Sequence, residues 1–152
     1  IGIIEPILCK RTRLTDEEMA VMREHPAIGG TIIEAVSFLR PVLAAVRNHH
    51  ERWDGNGYPD RLKGEEIPLI ARIVNCADTW DACTSTRPYQ KAMPPEKALE
   101  IIRKLSGSQL DPKVAEAMER VVQKKLQRGE RVSAWTPGDD ELPADAPKAA
   151  AG

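Results

Sequence analysis

The sequence predicts an all-α helical bundle, and three observations lead to this fold class. Apolar residues recur at helical spacing along most of the chain, as expected of helices that bury one face. No segment shows the apolar–polar alternation that is typical of a strand. Capping residues and prolines stand where the periodicity restarts. With 152 residues, 41% of them apolar, the chain is expected to form one domain with a hydrophobic core.

The first half of the chain predicts three helices. Thr15 and Glu18 form a capping box that opens the first of them, and the proline of His25-Pro26 marks its end. The buried stripe of the second helix is predicted to consist of Ile28, Ile32, Ile33 and Val36. The third helix continues the same spacing through Leu39, Leu43, Val46 and His50, which places His50 at the end of a core-facing stripe.

A long loop and three further helices are predicted in the second half. From Glu51 to Ile67 the helical spacing is replaced by the turn dipeptides Asp54-Gly55, Asn56-Gly57 and Pro59-Asp60. A loop of this length inside a compact domain is usually functional. Helix is predicted again from Pro68 to about Ser85, with a core face of Leu69, Ile73, Cys76, Trp80 and Cys83. Pro94-Pro95 and Asp111-Pro112 are predicted to open the last two helices.

The end of the chain differs in composition. From Trp135 to Gly152 it consists mostly of alanine, proline, glycine, aspartate and glutamate, which bury too little apolar surface to offset the entropy lost on ordering. We therefore expect residues 1–128 to form the folded domain and residues 129–152 to be a disordered tail or linker.

Charge and composition argue against several classes of function. Twenty-two basic residues against 23 acidic ones, a net charge of -1, give no support for binding to polymeric nucleic acid or to a membrane surface. No apolar run approaches the roughly 20 residues of a membrane span. Cys76 and Cys83 are expected on one helix about 10 Å apart, too far for a disulfide, so we expect reduced thiols and a cytoplasmic protein.

Three histidines and one aspartate are the candidate metal ligands. His25, His49 and His50 are the only histidines, and they lie within 26 residues. The adjacent pair could converge only on a site approached from two directions, such as a cluster of two metals. Hydrogen-bonded structural histidines, with His49 exposed, are the alternative, and composition alone favours it. Asp78 lies in a mostly apolar helix, where a carboxylate needs a metal, an arginine or a helix terminus as partner.

Arginine partners are the alternative to a metal at these acids. A salt bridge to Arg72 or Arg87 is the competing explanation for Asp78 and the preferred one for Asp81, one turn later. Three imidazoles with one carboxylate would suit iron, manganese, nickel or zinc, and would suit magnesium alone poorly. The tripeptide Arg87-Pro88-Tyr89 could hold a phosphate and stack on a base, or it could simply end the helix.

Together these elements resemble the HD-GYP family of HD-type metal-dependent phosphohydrolases, from Gly2 to about Val122. The most specific stretch is His49-His50-Glu51-Arg52-Trp53-Asp54-Gly55-Asn56-Gly57-Tyr58-Pro59, which contains the Gly-Tyr-Pro that names the family. Further blocks in the expected order are Leu14–Glu18, His25–Gly29, Leu62–Ile73, Ala77–Ala82 and Thr84–Tyr89. The order and spacing of these blocks argue against chance agreement.

The resemblance implies an HD-type helical bundle over residues 1–128 and assigns roles to several residues. His25, His49, His50 and Asp78 fall on metal-ligand positions. The residues expected on the substrate side are Gly57, Tyr58, Pro59, Arg87 and Lys91. In the family, divalent metals activate a water that attacks the phosphodiester of cyclic di-GMP, which gives the linear dinucleotide or GMP. Iron or manganese is the expected metal, with nickel or zinc as alternatives.

Two departures from the family pattern set limits on this expectation. The family's His-Asp pair, followed by Ile-Gly-Lys, belongs immediately before the segment that starts here at Ile1-Gly2. We therefore expect an N-terminally truncated portion that lacks this His, Asp and Lys and is inactive alone, and we assign no catalytic residue. The position after Arg87-Pro88-Tyr89 is commonly basic, whereas here it is Gln90, followed by Lys91.

Three functions remain open on the sequence. The first is a cyclic di-GMP phosphodiesterase of which this chain is a portion. The second is a non-catalytic module that binds a nucleotide or a signalling partner, and the third is an HD phosphohydrolase for a different phosphoester. The expected partners are cyclic di-GMP, an upstream receiver or sensor domain, other signalling domains, and a second copy in a homodimer.

Overall fold

The computed structural model describes Ile7, Lys10, residues 13–86, residues 91–130 and Val132. Within these ranges the chain is helical and contains no strand, and the isolated bridge between Ser106 and Leu110 closes a turn. The all-α fold class is therefore confirmed. None of the described helices is long and apolar enough to cross a membrane. Of the predicted tail, residues 129–152, all but Gly129, Glu130 and Val132 lie outside the described residues.

From residue 13 to residue 130, the described residues form six α-helices and two 3-10 segments. In order they are α1 (Asp16–Met22), α2 (His25–Glu34), a 3-10 helix (Ser37–Val42), α3 (Leu43–Asn48), a 3-10 turn (Gly64–Glu66), α4 (Leu69–Thr84), α5 (Pro95–Leu105) and α6 (Pro112–Gln127). The pair α2 and α3 packs together and contacts α4 through α3, while α4, α5 and α6 pack against one another.

Local capping chemistry explains where two of these helices begin. The Thr15 hydroxyl accepts a hydrogen bond from the backbone N–H of Glu18, and the Glu18 carboxylate accepts one from the N–H of Thr15. The Asp111 carboxylate accepts from the N–H of Lys113 at the start of α6. Both caps confirm the predictions, as do the starts of α5 and α6 at prolines.

The boundaries around the histidines differ from the prediction. α1 ends at Met22, so His25 opens α2 and does not end α1. The predicted third helix is a 3-10 helix followed by a short α3, because Pro41 lies inside this stretch and has no N–H to donate to an α-helical turn. His50 follows the end of α3 as a half-buried residue and is not part of a helical stripe.

The core lies among α4, α5 and α6. Its buried residues are Cys76, Trp80, Cys83, Ala98, Leu99, Ile102, Leu110, Ala115 and Val122. Three residues predicted to be buried are exposed instead: Leu69 at 55%, Ile73 at 49% and Ile32 at 45%. The buried face of α4 includes Ala71 and the polar Asn75, whose side-chain amide donates to the backbone carbonyl of Glu51. A pattern of apolar residues alone therefore predicts the wrong buried face for this helix.

A buried ion pair joins α4 to the start of α6. The Arg72 guanidinium donates to the Asp111 carboxylate at 2.7 Å, and the side chains are 14% and 1% exposed. Because Asp111 also caps α6, its replacement removes two interactions and leaves Arg72 without its partner. We expect Asp111→Ala to lower the free energy of unfolding by about 2–3 kcal/mol.

Urea unfolding would measure this loss, with Glu116→Ala as the matched control. Glu116 pairs with Arg120 on the surface, where both side chains are more than half exposed, so its loss should cost less than about 1 kcal/mol. Equal effects of the two substitutions would contradict the role given to the buried pair.

Candidate metal centre

The three histidine side chains converge at the junction of α2 and α3. His25 opens α2, whereas His49 and His50 directly follow α3. The two helices approach closely because Gly29 has no side chain: a Cβ there would lie only 2.9 Å from Cγ1 of Val46. One ring nitrogen from each histidine lies within 4.8 Å of the others, which makes this a group able to hold a metal ion.

Backbone carbonyls select the tautomers of two of these rings. Nδ1 of His25 lies 2.7 Å from the carbonyl oxygen of Met22, and Nδ1 of His49 lies 2.9 Å from that of Val46. A carbonyl oxygen only accepts, so both Nδ1 atoms must donate their hydrogen. In the neutral rings the Nε2 atoms then carry the free electron pairs, as in metal-binding histidines whose other nitrogen is held by the protein.

The two Nε2 atoms face each other at 3.4 Å. Because neither Nε2 atom of the neutral rings carries a hydrogen, this contact brings two electron pairs together, an arrangement that a cation between them would relieve. Imidazole nitrogens lie about 2.1 Å from a bound zinc ion, and at a tetrahedral angle two such nitrogens are about 3.4 Å apart. The residues present therefore fit a divalent transition metal.

His50 supplies the third imidazole. Its ring centroid lies 4.2 Å from that of His49 and 5.0 Å from that of His25. Burial, together with the smaller effects of the neighbouring His49 and His25, lowers the pKa of His50 to about 4. The ring is therefore neutral near pH 7, which is the form that binds metals.

Tyr58 connects the histidines to the Gly-Tyr-Pro loop. Its ring stacks on His50, with centroids 5.0 Å apart and an angle of 26° between the planes. The guanidinium carbon of Arg23 lies 5.8 Å from the centroid of the Tyr58 ring. Burial raises the pKa of Tyr58, whereas the nearby Arg23 guanidinium lowers it and the Asp78 carboxylate raises it to a smaller extent.

Asp78 itself is exposed, contrary to the expectation of a buried carboxylate that needs a partner. It is not among the ligand atoms that converge with the three histidines. Its proposed alternative partner, Arg72, pairs with Asp111. Asp81 accepts a hydrogen bond from the Ser85 hydroxyl at 2.8 Å. Arg87, Pro88, Tyr89 and Gln90 lie outside the described residues, and Lys91 is exposed.

Glu51 fixes the shape of the loop, a role that sequence reasoning missed. It is 1% exposed, and its two carboxylate oxygens accept hydrogen bonds from the backbone N–H groups of Asp60 at 2.6 Å and Leu62 at 3.1 Å. Its own carbonyl oxygen accepts from the Asn75 amide on α4 at 2.6 Å. The partners of Glu51 are nine and eleven residues away, so no local pattern predicts these hydrogen bonds. The one hint in the sequence is an acidic residue that directly follows the predicted core-facing stripe ending at His50.

Further contacts hold the loop to both halves of the bundle. Asp60 accepts two hydrogen bonds from Arg47 at 2.8 and 2.7 Å and one from Asn48 at 2.9 Å. On the other side, the N–H groups of Trp53 and Asp54 donate to the carbonyls of Gln109 and Ser108. The Tyr58-Pro59 peptide bond within the loop is cis.

Gly57 marks the tightest point of the loop. A Cβ at this position would overlap the backbone nitrogen of Arg52 and would lie 2.7 Å from the carbonyl carbon of Glu51. Glycine is therefore required here by the close approach of two backbone segments.

A cavity of about 720 Å³ lies against the outer side of the loop. It is lined by Arg23, Arg52, Gly55, Asn56, Gly57, Tyr58, Pro59 and Arg61. Arg52 is held in place by two hydrogen bonds to Asp54 and one to Gln109. The Arg52 guanidinium, followed by the N–H of Asn56, holds the pKa of Asp54 well below its usual range. Because Tyr58 lines the cavity and stacks on His50, the cavity adjoins the histidine cluster.

Comparison with known proteins gives consistent matches. A family model described as HD domain matches residues 5–114. A cyclic di-GMP phosphodiesterase of Vibrio cholerae is 43% identical over a match of 131 residues, which covers 82% of this chain and 27% of that protein. A cyclic di-GMP phosphodiesterase of Thermotoga maritima is 44% identical over 121 residues, 77% of this chain and 32% of that protein.

A solved structure is similar as well. The crystal structure of a cyclic GMP-AMP-specific phosphodiesterase of V. cholerae superposes with a TM-score of 0.59 at 28% identity, covering 72% of this chain and 25% of that one. The chain thus spans about a quarter to a third of the length of the relatives that it matches.

Proposed function

The chain belongs to the HD domain family, and from this premise we propose that it is the metal-binding portion of a cyclic di-GMP phosphodiesterase. The expected membership of the HD superfamily is thereby confirmed, and the relatives agree with an HD-GYP domain. The observation that carries the proposal is the pair of Nε2 atoms of His25 and His49, which face each other beside the neutral ring of His50.

The residues around the cluster suit a phosphodiester substrate. A bound divalent metal would supply Lewis-acid stabilisation of the phosphoryl group and a nucleophilic water at neutral pH. Tyr58 offers a half-buried aromatic face next to His50 for a nucleobase or a sugar. Gly57 and Pro59 shape the cavity wall, and the arginines that line it favour an anionic ligand.

We propose iron or manganese as the metal, with nickel and zinc as alternatives, since all four accept imidazole ligands. His25, His49 and His50 would hold it, and Asp78 would add a carboxylate from the exposed face of α4. We also propose that Arg87 and Lys91 contact the substrate. The His-Asp pair of the family pattern would complete the centre.

Metal content tests the ligand set directly. We expect His49→Ala to reduce metal affinity by at least about tenfold, because it removes one of two nitrogens aimed at the same point. Asp78→Ala should also lower metal content strongly, while Asp81→Ala should retain the metal and lower stability through the loss of the bond to Ser85. Metal analysis of protein loaded anaerobically with Fe(II) or Mn(II) gives the answer, and equal metal content in all three variants would refute the assignment.

Hydrolysis of cyclic di-GMP tests the activity. The protein should be produced with the residues encoded upstream of Ile1, loaded with Fe(II) or Mn(II), and assayed for linear dinucleotide and GMP. Turnover that disappears on metal removal and in the His49→Ala variant is the expected result. If the metal-loaded protein binds cyclic di-GMP without cleaving it, it is a non-catalytic binding module.

Cyclic GMP-AMP is the second candidate substrate. The observation that favours it is the fold similarity to a phosphodiesterase named for that dinucleotide. Both cyclic dinucleotides, together with a panel of other phosphoesters, belong in the same assay, and the ratio of their kcat/KM values decides between them.

We also propose a compartment and binding partners for the protein. Cys76 and Cys83 are buried free thiols, as expected of a cytoplasmic protein. An upstream receiver or sensor domain, other signalling domains and a homodimer are the proposed partners besides the nucleotide.

A further inference from the structure

The cavity beside Tyr58 has a positive character that the metal centre does not explain. Of the eight described residues that line it, three are arginines and none is an aspartate or a glutamate. The cavity therefore concentrates cationic groups without supplying a carboxylate from its own wall. Guanidinium groups present a planar fork of donors that matches phosphate and carboxylate oxygens.

Two of these arginines differ from the third in their partners. Arg52 donates to both carboxylate oxygens of Asp54 and to the Gln109 side chain, so three of its five donors are used and its charge is compensated. Arg23 and Arg61 form no ion pair and no side-chain hydrogen bond with any of the residues that the structure describes. Both side chains are exposed, so their positive charges are accessible to an anion from solvent.

The backbone of Arg61 supports a role in binding. Its φ of 55° lies in the left-handed region, which costs a residue with a side chain roughly 1 kcal/mol. The N–H groups on both sides of it, those of Asp60 and Leu62, are anchored by the two oxygens of the single buried carboxylate of Glu51. The loop is thus held in a conformation that strains Arg61 while it places this residue in the cavity wall, and such strain concentrates at functional sites.

Arg23 relates the cavity to the histidine cluster. Its guanidinium carbon is 5.8 Å from the centre of the Tyr58 ring, and the same ring stacks on His50. One aromatic ring therefore links Arg23 to the candidate metal ligands. A ligand with two anionic groups could place one at the histidines and the other between Arg23 and Arg61.

We propose that Arg23 and Arg61 form a second phosphate subsite, which binds the phosphodiester of a cyclic dinucleotide that is not cleaved. This inference rests on the proposed function, since a cyclic dinucleotide carries two phosphodiesters and only one can lie at the metals at a time. The subsite contributes to binding in the ground state and in the transition state alike, so its loss should raise KM and leave kcat nearly unchanged.

Steady-state kinetics of the metal-loaded, upstream-extended protein with cyclic di-GMP tests the subsite. Arg23→Gln and Arg61→Gln should each raise KM about tenfold or more, while kcat stays within about threefold. Arg40→Gln is the matched control, because Arg40 is an exposed arginine that does not line the cavity, and it should change neither value. Arg61→Gly separates binding from folding, since glycine relieves the positive φ: it should raise KM equally while stability is retained or increased.

A second experiment, which does not depend on hydrolysis, compares the affinities of the protein for GMP and for guanosine. The wild-type protein should bind GMP more tightly than guanosine, and the double variant Arg23→Gln/Arg61→Gln should lose most of this difference while its affinity for guanosine is unchanged. A wild-type protein that hydrolyses no cyclic dinucleotide overturns the proposed function, whereas the GMP comparison still decides the subsite. Arginine variants that match Arg40→Gln in KM, or that lose GMP and guanosine affinity equally, overturn the subsite itself.

Discussion

Replacing Glu51 with alanine is expected to lower the free energy of unfolding by about 3–5 kcal/mol, because two backbone donors lose their acceptor and a cavity is left behind. The carboxylate is 1% exposed and is the acceptor for the N–H groups of Asp60 and Leu62. Its loss should also release Arg61 from its strained conformation and loosen the loop that carries Tyr58. Urea unfolding measures the stability, and the metal-loaded assay measures the consequence for the site.

Two matched substitutions make this prediction specific. Glu51→Gln keeps one oxygen as an acceptor and should cost clearly less than the alanine variant. Glu65→Ala removes an acid that is 72% exposed on its side chain and pairs weakly with Lys113 at 3.3 Å, so it should cost less than about 0.5 kcal/mol. If Glu51→Ala were no more destabilising than Glu65→Ala, the buried carboxylate would not be the anchor of the loop.

Replacing Gly57 with alanine is expected to have an effect of similar size for a different reason. The added Cβ would overlap the backbone nitrogen of Arg52 and press on the carbonyl carbon of Glu51, and backbone atoms cannot move aside as a flexible side chain can. We expect a loss of about 3 kcal/mol or more, together with displacement of Tyr58 from His50 and a drop in activity of the metal-loaded protein.

Gly64→Ala is the control that separates steric overlap from backbone strain. Gly64 has a φ of +57°, but a Cβ there would meet no atom within 4 Å, so alanine should cost only about 1 kcal/mol. Thermal or urea unfolding of the two variants, with circular dichroism as the signal, gives the comparison. A Gly57→Ala protein as stable as Gly64→Ala would mean that the loop can shift to make room.

The predictions for Glu51 and Gly57 both concern how the loop from Glu51 to Ile67 is held against the bundle. The loop from Glu51 to Ile67 has few apolar residues of its own, yet buried hydrogen bonds tie it to α3, to α4 and to the turn before α6. This anchoring keeps Tyr58 stacked on His50 and keeps the arginines of the cavity wall in position. Precise placement of this kind is what a site that orients a phosphodiester requires.

Much of the fold was predictable because its signals are local. The capping box of Thr15 and Glu18 and the cap at Asp111 satisfy backbone donors within three residues, so the sequence states them directly. The helix α4 begins and ends close to the predicted residues, and α5 and α6 begin at the predicted prolines. The prediction failed where a polar residue is buried. Asn75 lies on the core face of α4, whereas the apolar pattern had assigned Leu69 and Ile73 to that face, and both are exposed.

The sequence by itself determined the helical class, the starts of α1, α4, α5 and α6, the HD-GYP resemblance and the identity of the three histidines. Only the tertiary structure decided that the Nε2 atoms of His25 and His49 face each other at 3.4 Å and that Asp78 is exposed. It also decided that Glu51 holds the loop by amides nine and eleven residues away. Caps and periodicity depend on neighbours along the chain, whereas the direction of a ring nitrogen and the burial of a carboxylate depend on how α2, α3 and α4 pack, which no local pattern encodes.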